Sequence, residues 1–213
     1  PTTCKTGSFL WIIFGSLIIT LIIAIFNGIQ FSRTVGWFKG KKPYPKEIPE
    51  LQELTNKMGL KLSTQPFWEL DAKVKAWAKG DSKKPKIIFG KDYLKSLTSE
   101  EKKFVAGHEF FHLTGHEFLH HLIIWILVVF CTYYIPFVWN TPPWIIFVGV
   151  IGVMIGSTCF TARSFESIAD INGATYVSRE TAVSALEKAH VGKIDRTLYF
   201  HPSLKARIKN LDN

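Results

Sequence analysis

The sequence carries no charge where it is most apolar. No Asp, Glu, Lys or Arg occurs from Thr6 to Ser32 or from Phe118 to Ala162. A soluble domain of 213 residues has little interior in which to hide the longer of these windows, so a part-membrane protein fits better than a pair of buried core helices in a globular one. Cysteine is scarce. Cys4, Cys131 and Cys159 are odd in number and unpatterned, which excludes a disulfide framework and a cysteine-based metal site and leaves small apolar fillers. Acidic residues are outnumbered, 17 against 26 Lys plus Arg, for a net charge of +9. That excess forms no basic stripe interleaved with stacking aromatics, so nucleic acid is not an expected partner. No internal repeat or low-complexity tract is present. No small-x-small cleavage site follows the first apolar run, which therefore reads as an uncleaved anchor.

What is there begins with three apolar runs. Phe9 to Phe26 is long enough for a spanning helix at 1.5 Å per residue. Leu122 to Trp139 and Trp144 to Phe160 flank Asn140-Thr141-Pro142-Pro143, which cannot continue a helix and reads as the turn of a helical hairpin. Trp139 and Trp144 stand at its ends, where interfacial aromatics belong. Arg33, Lys39, Lys41, Lys42 and Lys46 follow the first run, the hairpin turn is uncharged, and Arg163 follows the third. The positive-inside rule then puts the polar segments on the cytoplasmic side of a multi-pass membrane protein. The expected organisation is an anchor over 1–30, the first part of a catalytic domain over 31–120, a transmembrane hairpin over 121–160 and the second part of that domain over 161–213.

In the polar segments, Ile48, Leu51, Leu54 and Met58 recur at helical spacing, with Gly59 placed to end a helix over Pro45 to Met58. Leu60 to Leu62, Val74 to Ala78 and Lys86 to Phe89 are short β-biased runs separated by Gly, Pro, Asp and Ser. Thr98-Ser99-Glu100-Glu101 fits a capping box opening a helix that carries Phe104, Val105, His108, Phe111 and His112 and continues toward the second apolar run. Ser178 fits the cap of a helix over Arg179 to His190, and a last helix is expected near Pro202 to Leu211.

Chemistry concentrates in His108-Glu109-Phe110-Phe111-His112. Helix positions i and i+4 share a face, so both imidazoles can meet one ion. Zinc accepts neutral imidazole and keeps a position for water, and Glu109 stands where it can take that water's proton. A second such pattern, His116 to His120, lies four residues further along the same helical row. It adjoins the apolar run and follows Gly115, so His116, His120 and His121 read as an interfacial polar collar, with His116 a candidate for a group behind the ligands or facing substrate. A third ligand is needed. Glu166 and Asp170 share a helix face just past the third run. Two spans separate them from His112, so they lie on the same side of the membrane. Standing alone, the pair would read as a solvated helix face; with this topology, Glu166 can complete a His₂Glu set and Asp170 can accept the free N–H of a ligand imidazole.

These motifs, in this order, resemble the HtpX-type membrane metalloproteases, relatives of the CAAX prenyl endopeptidases, over roughly Leu51 to Leu211. LTSEEKKFVAGHEFFHLTGH is similar to the family's segment leading through HExxH. RSFESIAD is similar to its R-x-x-E-x-x-A-D stretch, HPSLKARIKNL to its closing His-Pro…Arg-Ile motif, and KAWAKG to its Asn-Ala-Phe-Ala edge segment. The resemblance implies His108, His112 and Glu166 as ligands of one zinc ion and Glu109 as general base. It also implies Ala76, Trp77 and Ala78 as a strand that binds substrate, and His201 as a group that steadies the oxyanion. Read without it, His201 is equally a surface residue before a proline-initiated helix. This chain departs from the family in its duplicated HExxH and in Lys75, which stands where Asn is usual.

The expected fold class is therefore α+β: a mainly helical gluzincin-like catalytic domain with a small β-sheet, joined to about three transmembrane helices. The expected activity is zinc-dependent endopeptidase action on membrane or misfolded proteins near the cytoplasmic membrane surface. Its partners are then a peptide or membrane-protein substrate and the lipid bilayer. The alternatives are processing of one lipidated or signal-type peptide and a non-catalytic zinc-binding adaptor. Glu109 speaks against the adaptor, since a structural site needs no base. Glu100, Glu101, Lys102 and Lys103 ahead of the motif speak against a site within the bilayer.

Overall fold

The computed structural model describes residues 43–59, 66–71, 75–79, 85–114, 123–124, 126–127, 142–191 and 201–212. The chain divides into two compact units, Pro1–Lys39 with Phe118–Phe160, and Gly40–Glu117 with Thr161–Asn213. The second holds every element that builds the site.

Its sheet has four strands: β1 (Tyr44–Pro45), β2 (Phe67–Leu70), β3 (Ala76–Lys79) and β4 (Lys86–Gly90), in the order β1-β2-β4-β3. β2 and β4 are parallel, with Phe67 opposite Ile87. The two outer pairings are antiparallel, and β3 sits at one edge with Ala76 opposite Phe89. The helices are α1 (Gln52–Lys57), α2 (Lys91–Ser96), α3 (Ser99–Thr114), α4 (Pro143–Ala174), α5 (Arg179–His190) and α6 (Leu204–Asn210), and of α4 only the part from Thr161 belongs to this unit.

Several elements stand where the sequence puts them. Thr98 Oγ1 accepts from Glu101 N at 3.3 Å and Glu101 Oε2 accepts from Thr98 N at 2.7 Å, the reciprocal capping box at the start of α3. Ser178 caps α5 through Thr181 N, and Ser203 caps α6 through Ala206 N. Gly59, at φ 67°, takes the left-handed conformation that closes the turn after α1.

One expectation needs correction, and one strand was not marked by the sequence. The helix expected over Pro45 to Met58 starts later. Pro49 disfavours helical φ/ψ at Ile48, which is extended at φ −126°, so a 3₁₀ turn at Pro49–Leu51 leads into α1, while Tyr44–Pro45 pairs with β2. β2 itself has no alternating signature. It lies between two neighbours with Phe67, Glu69 and Leu70 all buried, so the period-two cue is lost. The run Leu60 to Leu62, Val74, and His116, His120 and His121 lie outside the described residues.

One core joins sheet to helices. Leu51, Leu54, Ile87, Phe89, Phe104, Ala182, Ala185 and Leu186 are buried together. Each large apolar side chain so withdrawn from water contributes roughly 1.5–3 kcal/mol.

Among the described residues no helix is long and apolar enough to cross a membrane. The first expected span and nearly all of the second lie outside those residues. The third, 144–160, falls within α4, where side chains at 144, 146, 147, 150 and 154 are not described. Ile145, Val148, Val153, Ile155 and Phe160 of that helix are exposed.

Candidate active site

α3 and the residues 161–174 of α4 pack closely enough to bring four chemical groups together. A Cβ on Gly173 would lie 2.7 Å from the Phe104 carbonyl oxygen, and one on Gly107 would lie 2.8 Å from the Tyr176 ring. Only glycine permits this approach. It sets Glu166 and Asp170 against the His108–His112 face.

His108 Nε2 and His112 Nε2 lie 3.1 Å apart. Glu166 Oε2 is 3.8 Å from the first and Glu166 Oε1 is 3.8 Å from the second. The three residues offer ligand atoms all within 4.8 Å of one another, a group that could hold a metal ion. Behind His108, Asp170 is fully buried, with Oδ1 2.9 Å from His108 Nδ1. That contact is close, though the ring is not aligned for a straight hydrogen bond. Arg207 of α6 grips the same carboxylate with both arms of its fork, Nε to Oδ2 at 2.7 Å and Nη2 to Oδ1 at 2.5 Å. Its Nη2 also lies 3.6 Å from Glu166 Oε2.

The carboxylates differ in electrostatics. Burial would raise Glu166, but a hydrogen bond from His201 and the charges of His108 and Arg207 hold it down to about 2. Burial pushes Glu109 up, with Glu166 adding to the rise and the two histidines and the N–H of Ala78 opposing it. Glu166 is thus an anion at neutral pH, and Glu109 is a carboxyl with raised proton affinity.

These groups line a cleft of about 500 Å³ that also takes in Ala76, Trp77, Ala78, His201 and Arg207. The register decides which strand atoms face it. Gly90 N donates to Lys75 O at 2.8 Å, so Lys75 and Trp77 pair with β4, and alternation leaves the main-chain groups of Ala76 and Ala78 toward the open edge. Of the three expected strand residues, Trp77 therefore keeps its main chain within the sheet. His201, at 58% side-chain exposure, brings Nδ1 to 3.2 Å from Glu166 Oε1. It lies at the cleft, not on a remote surface.

Residues 46–213 match peptidase family M48. The chain belongs to peptidase family M48. The family resemblance drawn from the motifs is thereby borne out. The structure of Ste24p from S. mikatae superposes with a TM-score of 0.56 at 17% identity, covering 96% of this chain and 59% of that one. At that identity the likeness is one of fold, and this M48 chain spans 59% of that chain's length. No curated protein matches.

The motifs did not mark Arg207 as a site residue of this M48 family member. Its signal was present in the Arg-Ile of the closing motif, six residues after His201. What pattern could not show is that α6 returns this guanidinium to the carboxylate behind the candidate ligands.

Proposed function

We propose that the protein is a membrane-bound zinc endopeptidase that hydrolyses peptide bonds of membrane or misfolded proteins near the cytoplasmic membrane surface. The observation that carries this is the convergence of His108, His112 and Glu166 with Glu109 at one cleft beside the open edge of β3. Two imidazoles and one carboxylate are one of the donor sets of catalytic zinc sites. Ligands 2.0–2.1 Å from a tetrahedral ion lie about 3.3 Å apart, which suits the 3.1 and 3.8 Å separations found. A zinc ion held there supplies a Lewis acid that polarises the carbonyl and lowers the pKa of water.

The remaining work falls to the chain. An extended substrate adds beside β3, bonding to the main-chain groups of Ala76 and Ala78 with little demand on side-chain identity. The carboxylate of Glu109 receives the proton of the attacking water and returns it to the leaving amine. His201 donates toward the oxygen that gains charge. Asp170 and Arg207 hold His108 in place so that Nε2 faces the ion.

Membrane residence is supported by the two charge-free windows and by the exposed apolar residues of α4. Loop charge supports the cytoplasmic side. Strand addition through the backbone supports a quality-control role over the processing of one motif.

Purified wild type and Glu109→Gln should be compared for zinc content and for release of casein peptides. The variant should keep zinc and lose hydrolysis, and undiminished turnover would remove Glu109 as base. His108→Ala and His112→Ala should lose zinc, whereas His116→Ala and His120→Ala should retain it.

A further inference from the structure

We propose that Lys75 is a positioning residue that sets the width of the slot between β3 and α5, and with it the size of substrate side chain accepted beside the reacting bond. The substrate half of this proposal rests on the peptidase reading above. The geometry stands on its own contacts.

A helix leaves its last carbonyls without helical partners. At the end of α5, Glu187 O is taken by Val191 N at 3.1 Å. The next groups are taken from a distant strand: the Lys75 ammonium donates to Lys188 O at 3.2 Å, to Ala189 O, and to Val191 O at 3.1 Å. An ammonium has three N–H donors, and three carbonyls receive them. Its charge also sits at the negative end of the helix dipole. On its other side, the Lys75 main chain is fixed to β4 through Gly90 N. Lys75 thus bridges the edge of the sheet to the C-terminus of α5.

That bridge crosses the candidate site. α5 contributes Ala185, Leu186, Ala189 and His190 to the cleft, and Lys75 itself lies in the lining. Ala185 and Ala189 are too small to block a substrate side chain. Leu186 and His190 supply the bulk that α5 turns toward the cleft, so the room left for a substrate side chain follows from how far α5 stands from β3. α5 is independently tied to the start of α3 and the end of α2, because Lys188 Nζ donates to Glu101 Oε2 at 2.6 Å and to Ser96 O at 2.9 Å. Lys75 supplies the corresponding tie to the sheet. Its three donors are engaged at the end of α5 and are not aimed at substrate.

Two measurements on the full chain in detergent test this. The first maps the residues flanking each cleaved bond in denatured casein for wild type, Lys75→Met and Lys75→Arg. Methionine keeps a similar stem but no donors or charge. Its slot should loosen, moving the cut sites toward Phe, Tyr and Trp and raising KM about tenfold while kcat stays within about threefold. Lys75→Arg should keep the wild-type profile. A merely structural role would lower the yield of active protein without altering which residues flank the cuts. The second follows amide exchange, which should quicken about tenfold or more at the last turn of α5 and at β3 in Lys75→Met.

An unchanged cut-site profile in folded Lys75→Met overturns the proposal, as does unchanged exchange at both places. Should Lys75→Met fail to accumulate, Lys75→Gln, which keeps amide donors but no charge, takes its place in both measurements. If wild type releases no more casein peptides than Glu109→Gln, the peptidase reading fails and the substrate half falls with it, while the exchange data still decide whether the bridge exists.

Discussion

Gly107 and Gly173 meet across the crossing of α3 and α4, so closely that a Cβ built on Gly107 would stand 3.1 Å from Gly173 Cα. Nothing else about the site is as demanding. Glu166 and Asp170 reach the histidines only because these two helices approach backbone to backbone, and the glycines make that approach possible.

Gly173→Ala should therefore disturb both fold and metal binding. Its Cβ would meet a backbone oxygen at 2.7 Å, which cannot swing away as a flexible side chain can. Overpacking of this kind costs on the order of 1–3 kcal/mol. The expected result is a lower Tm and reduced zinc content, read by thermal melting and metal analysis. Gly149→Ala, with nothing among the described residues within 4 Å of its Cβ, is the control and should leave both unchanged. Equal behaviour of the two variants would mean that the helices have room to spare.

Much of this arrangement was legible before any fold was known, and for physical reasons. Capping boxes are local, so Thr98 with Glu101, and Ser178, marked the starts of α3 and α5 correctly. His108 and His112 share a face by the period of the helix alone. Partners that meet through tertiary return were not legible in the same way. Arg207 lies 37 residues from Asp170 and reaches it only because α6 folds back. β2 was missed because a strand between two neighbours loses the alternation that marks a half-exposed one. Lys75 stood out as a departure, but its attachment to α5 is a contact no periodicity encodes.

Asp170 and Arg207 should act as one unit. Asp170→Asn removes the charge that faces His108 and half of the bidentate pair, and should weaken zinc binding about 10- to 100-fold. Arg207→Met leaves Asp170 buried without its guanidinium and should cost zinc affinity to a similar degree. The double variant should then lose less than the product of the two singles, because each change already breaks the same contact. Competition with a chelator of known affinity gives these numbers. Strict additivity would show that Arg207 does not work through Asp170.

Acid stability should report on Glu101. This buried carboxylate accepts from Lys188, Ser184 and Thr98, and although burial opposes it, these bonds hold its pKa at about 2. An acid with a lowered folded-state pKa stabilises the fold above its unfolded value, and the contribution fades as pH falls toward the folded one. The window is therefore roughly pH 4.5 down to pH 2, and the full contribution is on the order of 3 kcal/mol. Glu101→Gln should melt well below wild type at pH 7, and the gap should narrow steadily through that window. A gap independent of pH would mean that shape, not charge, is what the glutamine disturbs.

His201 provides the sharpest division between binding and chemistry. Its Nδ1 lies 3.2 Å from Glu166 Oε1 at the mouth of the cleft, while more than half of its side chain remains open to solvent. A residue placed so is not needed to build the core, and Ser203 caps α6 without it, so His201→Ala should fold with an unchanged Tm. The three candidate zinc ligands are untouched, so zinc content should also hold. If the imidazole donates to the oxygen that gains charge during attack, its loss removes an interaction stronger in the transition state than in the ground state. That signature is a fall in kcat of roughly 10²–10³ with KM little changed. If the imidazole instead serves only to orient Glu166, zinc would leave more readily and kcat per bound zinc would stay near wild type. Steady-state kinetics normalised to measured zinc separate these cases, and normal kcat at full zinc occupancy would take His201 out of the reaction altogether.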